Sequence, residues 1–221
     1  MKVTREQVAK NRQRILEAAS KLLREKGFDG VSVAEIMKSA GLTHGAFYGH
    51  FASKDELTAE ACANAAAKTI DIWTALASDK APDQLGAIVA SYLTPSHRED
   101  LGGGCVLAAL GADVVRQPRS VRRAFTDGIR STVALLSMIA PGASNAVHRE
   151  KALATLAGLV GALTLARATD DRSLSDEILN AALAMLGGKS GATDSPIQTR
   201  LWGANHKKIK DRQTAIPASR N

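Results

Sequence analysis

Two hydroxyl residues of this chain, Ser32 and Thr43, stand where they can start short helices. Ser32 lies three residues before Glu35, the spacing of a capping box in which each residue satisfies the other's backbone amide. Helix N-termini also present unpaired amides, which attract phosphate. Gly45 and Ala46 are small, so a helix backbone there can approach base edges in a DNA groove. These residues therefore suit contact with duplex DNA.

Residues that begin and end helices predict the elements that position these side chains. Gly41 supplies a positive φ that ends one helix and turns the chain. Thr43 is predicted to cap a second short helix over residues 44–50. Ser53 opens a further capping box with Glu56, at the start of a long helix. Two short helices joined by a glycine turn and followed at once by a third are typical of a helix-turn-helix.

The residues of this region resemble the TetR/AcrR family of transcriptional regulators. The resemblance rests on I-L-E-A-A-S-K-L-L-R-E-K-G-F (15–28), S-V-A-E-I (32–36) and A-G-L-T-H-G-A-F-Y-G-H-F-A-S-K-D-E-L (40–57). Its most specific part is the Y-G-H-F group that begins at Tyr48. Beyond residue 57 there is one local likeness: a glycine and Cys105, which open an apolar helix as in a subgroup of these regulators.

The resemblance implies that the second and third helices read DNA and that the fourth leads into an effector-binding and dimerisation domain. Four residues are expected at base edges and nearby backbone: Thr43, His44, Gly45 and Ala46. Four more are expected at phosphates: Ser32, Tyr48, His50 and Lys54. His50 fits a structural hydrogen bond equally well, and Phe51 fits the core better than DNA. Gly49 has a low helix propensity and weakens the helix predicted over residues 44–50.

Composition and periodicity predict an all-α fold of about nine helices. Only 4% of the 221 residues are aromatic, and no alternating strand pattern of useful length occurs. We expect a three-helix DNA-binding domain at 1–53, a helical-bundle effector and dimerisation domain at 54–186, and a basic, flexible tail at 187–221.

The net charge of +7 is unevenly distributed. Residues 1–57 carry 10 basic against 7 acidic residues, residues 58–186 carry 12 against 13, and residues 187–221 carry 7 against 2. DNA contact is therefore expected at the front of the chain. Further backbone contacts from an N-terminal arm are predicted for five basic residues: Lys2, Arg5, Lys10, Arg12 and Arg14.

Several classes of protein are disfavoured. The N-terminus lacks the pattern of a signal peptide, and the two cysteines, Cys62 and Cys105, form no disulfide framework, so a cytoplasmic protein is expected. The uncharged run 152–166 is shorter than the about 20 residues of a membrane span. The five histidines are scattered without metal-ligand spacing, and no G-x-S-x-G occurs. We therefore expect no enzyme activity, metal, cofactor or membrane partner.

The uncharged run is instead predicted to lie in a homodimer interface, where two copies would read a palindrome. The predicted interface residues are Leu153, Leu156, Ala157, Val160, Gly161 and Thr164 from this helix, with Ile178, Ala181, Ala182 and Met185 from the last helix. The alternative is that this apolar stripe packs only inside its own subunit.

The middle domain is the predicted site of a small-molecule effector, apolar or amphipathic because apolar faces there carry few charges. The candidate lining residues are Trp73, Tyr92, Cys105, Leu107, Leu110 and Phe125; each fits a plain core position as well. Cys105 follows three glycines at a predicted helix start, where the dipole would lower the pKa of an accessible thiol. It is therefore a candidate sensor of electrophiles or oxidants, or else a small buried packing residue.

Together these features predict a repressor that binds a palindromic operator as a homodimer and is released by an effector. Two alternatives stay open: a constitutive architectural DNA-binding protein, with little sequence preference and steep salt dependence, and a regulator triggered by covalent modification of Cys105.

Overall fold

The computed structural model describes residues 4–78, 83–140 and 144–187. These ranges contain helices and no strand, which confirms the predicted all-α class. The helices are α1 (Arg5–Lys26), α2 (Val33–Ser39), a first 3-10 helix (His44–Gly49), α3 (Lys54–Ser78), α4 (Gln84–Tyr92), α5 (Pro95–Glu99), α6 (Val106–Leu110), a second 3-10 helix (Val114–Arg116), α7 (Arg119–Ile139), α8 (Asn145–Ala168) and α9 (Arg172–Leu186). The predicted tail, apart from Gly187, lies outside the described residues.

The N-terminal helices pack around a small apolar core. Ile15 of α1, Ile36 of α2, and Phe47 and Phe51 at the first 3-10 helix are all buried. The two phenylalanine rings stack with centroids 6.0 Å apart. Gly41 has φ 68°, as the predicted turn requires. This core holds α2 and the first 3-10 helix, here called the reading helix, in a fixed relation.

The reading helix differs from the prediction in its geometry. It is a 3-10 helix, and the Thr43 side chain makes no capping hydrogen bond to it. The first turn is instead closed by the Ala46 amide, which donates to the Thr43 carbonyl at 3.1 Å. Gly45 and Gly49 weaken a regular α-helix over these six residues, which accounts for the tighter, shorter form.

Two short helices of the second domain have boundaries set by local chemistry. The Thr94 hydroxyl caps α5 by accepting from the His97 amide. The α6 helix ends at Leu110, and Gly111 occupies its C-cap. Glycine inside a helix is unfavourable, so the chain turns there and resumes as the second 3-10 helix.

The second domain is built along α3, which packs against α1, α4 and α7. Its α8 packs between α7 and α9, and the domain core includes the fully buried Trp73, Tyr92, Leu136 and Leu159. By length and composition alone, α8 is apolar enough to cross a membrane. That evidence is weak, because core helices of soluble proteins meet the same test, and α8 supplies several residues to this core.

Candidate DNA-reading surface and effector region

Ser32 is held by the capping box that the sequence predicted. Its hydroxyl accepts a hydrogen bond from the Glu35 amide at 3.2 Å, and its own amide donates to the Glu35 carboxylate at 3.0 Å. This amide, followed by the Lys26 ammonium at 3.1 Å, lowers the pKa of Glu35 to about 2. The Ser32 hydroxyl also donates to the same carboxylate. Its proton is therefore engaged within the protein, which favours a capping role over a phosphate contact.

The reading helix presents an exposed polar surface. Thr43, His44 and Gly45 are exposed, and Tyr48 is 72% exposed although it is a large aromatic residue. The Tyr48 ring lies edge-on to the buried Phe47 ring, with centroids 5.1 Å apart. The phenol is thus oriented by the core while its surface faces solvent. This arrangement suits hydrogen bonding to phosphates and base edges.

The other predicted contacts are partly engaged by the protein, and Ala46 is half-buried against the core. The Lys54 ammonium donates to the Phe28 carbonyl at 3.2 Å. The His50 ring is half-buried, and its Nδ1 is buried without a hydrogen-bond partner among the described residues. These three side chains are therefore less free to contact DNA than the exposed Thr43, His44 and Tyr48.

Arg12 has a role that sequence reasoning missed. Its guanidinium donates to the His50 carbonyl and to both Glu60 oxygens at 2.5 and 2.7 Å. It also lies 4.1 Å from the centroid of the Phe51 ring. Arg12 thus joins α1, the end of the reading helix and α3, instead of forming part of a DNA-binding arm. No local pattern signals this, since its partners lie 38 and 48 residues away along the chain.

Three of the predicted effector residues share a small cavity. Trp73, Cys105 and Leu107 line it, together with Ala66, Thr69, Val106, Thr132 and Leu156. The space open to the centre of a water molecule is ≈ 10 Å³, room for about one water. Tyr92 packs edge-on against Trp73 at 5.8 Å but does not line the cavity. Leu110 and Phe125 are buried elsewhere in the core.

Cys105 is buried, as the packing alternative predicted. It is only 3% exposed, and the α6 helix that follows it has five residues. Its amide donates to His97 Nε2 at 3.0 Å, and His97 Nδ1 donates to the Tyr92 carbonyl at 2.7 Å. Burial, chiefly, lowers the pKa of His97 to about 3. The neutral imidazole therefore holds the backbone of Cys105, and the thiol occupies a buried packing position.

The glycine segment before Cys105 is held by α1, and the helix that precedes this segment is held by α8. The Arg24 guanidinium of α1 donates to the Gly102 carbonyl, with Nε at 2.7 Å. From α8, Arg167 donates to the carbonyls of His97 at 2.8 Å and Arg98 at 3.1 Å. A side chain at Gly104 would place Cβ 2.6 Å from the Asp100 carbonyl oxygen. This segment, residues 102–104, therefore links the DNA-binding domain to the cavity through contacts that sequence reasoning missed.

The predicted dimer face divides in the structure. Leu156 is 6% exposed and lines the cavity, so its assignment to the interface is wrong: the side chain points into its own subunit. Leu153 is 46% and Met185 85% exposed. Of the remaining predicted residues, three are exposed and four half-buried: Ala157, Thr164 and Ala181, then Val160, Gly161, Ile178 and Ala182. Leu165, also exposed, was not predicted.

The front of the chain matches a known family model. The model is described as bacterial regulatory proteins, tetR family, and it matches residues 15–61. A Shigella flexneri regulator, AcrR, is 40% identical over 57 residues, which is 26% of each chain. The Escherichia coli K12 repressor NemR is 27% identical over 129 residues, 57% of this chain and 65% of the repressor. The chain thus spans about a quarter of the first relative and somewhat under two thirds of the second.

Solved structures resemble the whole described fold. Reduced E. coli NemR superposes with a TM-score of 0.67 at 24% identity, covering 84% of this chain and 99% of that one. A TetR-family regulator from Cytophaga hutchinsonii gives 0.68 at 20% identity, covering 87% and 100%. At these identities the likeness shows the fold alone.

Proposed function

Because the chain belongs to the TetR/AcrR family of helix-turn-helix transcriptional regulators, which are not enzymes, we propose that it is an effector-responsive repressor. It binds a palindromic operator as a homodimer in the cytoplasm. The observation that carries this proposal is the exposed surface of Thr43, His44 and Tyr48 on a reading helix whose other side is fixed by buried phenylalanines.

The reading surface has a centre and a margin. In the centre, Thr43, His44 and Gly45 face the groove and Tyr48 reaches a phosphate, because these residues are exposed. The margin consists of residues that already make contacts within the protein: Ser32, Ala46, His50 and Lys54. One such helix gives modest specificity, and two related by a two-fold axis read both halves of a palindrome.

Two copies of the chain pair about that two-fold axis through the exposed face of α8 and α9. Leu153, Leu165 and Met185 are large apolar side chains exposed on a single subunit. Gly161 has open space around its Cβ position, so a second helix can approach the backbone closely there. Burying such a face against a second copy is favourable by about 25 cal/mol for each Å² of apolar surface removed from water.

The effector binds at the cavity beside Trp73 and opens it. Since the cavity holds about one water in this state, a larger apolar or amphipathic ligand requires α6 or α7 to move away from α3. Residues 102–104, joined to Arg24 of α1, pass this movement to the DNA-binding domain, and α3 changes its angle. Ligand and DNA then favour different conformations, so each weakens binding of the other.

Modification of Cys105 is a second trigger, and one observation favours it. The thiol lines the same cavity, so a small electrophile that enters would meet it directly. The attack requires opening of the site, because the residue is 3% exposed.

Selection of genomic fragments by the purified protein, followed by footprinting, tests the proposed function. A discrete palindrome shared by the recovered fragments is the expected result. Recovery of DNA without a shared sequence would support the architectural DNA-binding protein instead.

A further inference from the structure

One stretch of the second domain is strongly basic although the domain as a whole is not. Residues 116–130 contain five arginines and a single acidic residue, Asp127. The remainder of residues 58–186 carries seven basic against twelve acidic residues. The arginines are Arg116, Arg119, Arg122, Arg123 and Arg130. The near-neutral total therefore conceals a local positive patch.

Three of these arginines lack an acidic partner among the described residues. Arg116 pairs with Asp113, and Arg130 pairs with Asp127 at 3.1 Å. In contrast, Arg119, Arg122 and Arg123 are exposed and form no ion pair within the described ranges. These three residues are here called the arginine cluster.

The cluster lies at the N-terminal end of α7, a helix of 21 residues with no acidic residue in its first turn. The helix dipole is positive at this end, so cations there destabilise the free helix. Within the described ranges no ion pair offsets this cost. The placement does favour an external anion, which would be attracted by both the arginines and the dipole.

The position of the cluster follows from the packing of α7 on α3. A Cβ at Gly128 would lie 3.0 Å from Ala66 Cβ, and Thr132 shares the small cavity with Thr69 and Trp73. Later residues of α7 thus meet later residues of α3, so the two helices run in the same direction. Because α3 starts at the reading helix, the N-terminus of α7 lies towards the DNA-binding domain.

A surface groove between α3 and α7 places one residue of the cluster, Arg123, beside Glu60. The groove has a volume of ≈ 420 Å³ and is lined by Glu60 of α3 and by Ser120 and Arg123 of α7. Glu60 also binds Arg12, whose guanidinium donates to the His50 carbonyl at the end of the reading helix. Glu60 therefore lines the groove with Arg123 and also binds Arg12, which contacts the end of the reading helix.

From this placement we propose that Arg119, Arg122 and Arg123 form a second DNA-contacting surface, which binds phosphates beside those reached by the reading helix. The proposal rests on the proposed DNA binding and assigns contacts to the domain otherwise reserved for effector and dimerisation. Guanidinium groups bind phosphate oxygens in a bidentate manner, and each neutralised phosphate releases counterions, so the contacts strengthen binding most at low salt.

The test compares the wild type with two triple variants that remove equal charge. One is Arg119→Gln, Arg122→Gln, Arg123→Gln. The matched control, Arg130→Gln, Arg149→Gln, Lys151→Gln, lies on exposed positions of the same domain. Two of its residues are near the start of α8, which follows the far end of α7. Binding to the selected operator and to a scrambled duplex is measured over a series of salt concentrations.

The cluster variant is expected to bind both duplexes at least about tenfold more weakly at low salt, with a salt slope shallower by about 2.7 per protomer if three phosphate contacts are lost. The control variant is expected to change both quantities far less. Ethylation interference should in addition show phosphates that the wild type needs and the cluster variant does not.

The outcomes separate this proposal from the proposed function. If the wild type prefers its operator and the cluster variant behaves like the control, the second surface is overturned and the regulator stands. If the wild type shows no preference between duplexes while the cluster variant still loses affinity and slope, the second surface stands and the operator-specific regulator fails. Equal binding by all three proteins contradicts the second surface.

Discussion

Two regions of the molecule hold their polar groups in opposite ways. One is the reading head, formed by α2 and the reading helix, and the other is the region around the cavity beside Trp73. At the reading head, the capping contacts span three residues of sequence, and the functional side chains are exposed. Around the cavity, Arg24 reaches Gly102 across 78 residues and Arg167 reaches His97 across 70, and the thiol that they surround is buried. The proposed DNA-contacting surface is thus built by contacts between neighbours in the chain, whereas the proposed effector region depends on contacts between distant segments.

The largest effect is expected from substitutions on the exposed α8–α9 face, through which the two subunits are proposed to pair. Replacing Leu153 and Met185 together by glutamate places charges on the exposed α8–α9 face, and should dissociate the dimer and reduce operator affinity by more than about hundredfold, since a single reading head remains. Light scattering and operator titration measure both. The contrasting change Leu156→Ala, inside the subunit, should lower the free energy of unfolding by about 2–5 kcal/mol. A dimeric, fully active glutamate variant would place the interface elsewhere.

Next in size is the effect of removing the exposed phenol. Tyr48→Ala should weaken operator binding by about 1–3 kcal/mol and change the free energy of unfolding by less than about 0.5 kcal/mol, because the side chain is a surface one. Thr43→Ala should act in the same direction. Titration of operator DNA and chemical denaturation give the two numbers. Unchanged affinity in both variants would mean that the reading surface is misplaced.

Glycine substitutions contrast the two regions directly. Gly104→Ala forces a Cβ to within 2.6 Å of a backbone oxygen, so it should lower the free energy of unfolding by about 1–3 kcal/mol. Gly45→Ala meets nothing within 4 Å; it should not destabilise the protein, yet it should weaken DNA binding by crowding the groove. Denaturant titration of both variants decides this, and equal loss of stability would remove the contrast.

A smaller effect is expected from pH, through His97. Burial lowers its pKa to about 3, below the unfolded value of about 6.5. The unfolded chain therefore binds the proton first, and this contribution to stability is lost progressively as pH falls from about 6.5 towards 3, by at most about 1.4 kcal/mol per pH unit. Unfolding measured between pH 7.5 and 5 should show the loss in the wild type and a smaller one in His97→Gln. Identical pH profiles would contradict the buried neutral imidazole.

The smallest effect should come from Cys105→Ser, which replaces one small buried residue by another. Operator binding should be almost unchanged in the absence of effector. If the thiol is the trigger, release of DNA by an added electrophile should disappear in this variant, as followed by fluorescence anisotropy. Release that persists unchanged would exclude the thiol and leave the reversible effector.

The sequence predicted those features that depend on neighbours in the chain. The capping box at Ser32 and the turn at Gly41 both follow from short-range patterns, and the structure contains them. The 3-10 form of the reading helix was not predicted, because Gly49 alone was expected to weaken the helix and Gly45 weakens it as well.

The remaining errors have a common physical origin. Helical periodicity groups Leu153 with Leu156, but it cannot say which side of the stripe meets the subunit's own core, and only Leu156 does. Arg12 was assigned to solvent or DNA because Glu60, its partner, lies 48 residues away. Averaging charge over residues 58–186 likewise concealed the arginine cluster at the start of α7.

The central claim, a dimer that reads two half-sites, is tested most directly with one pair of duplexes. Binding to the selected palindrome is compared with binding to the same duplex carrying one scrambled half-site, at a single near-physiological salt concentration. The account predicts one dimer per palindrome and a loss of at least about hundredfold on scrambling, within the usual margin between specific and non-specific binding. Equal affinity for the two duplexes would contradict it and identify a DNA-binding protein without operator specificity.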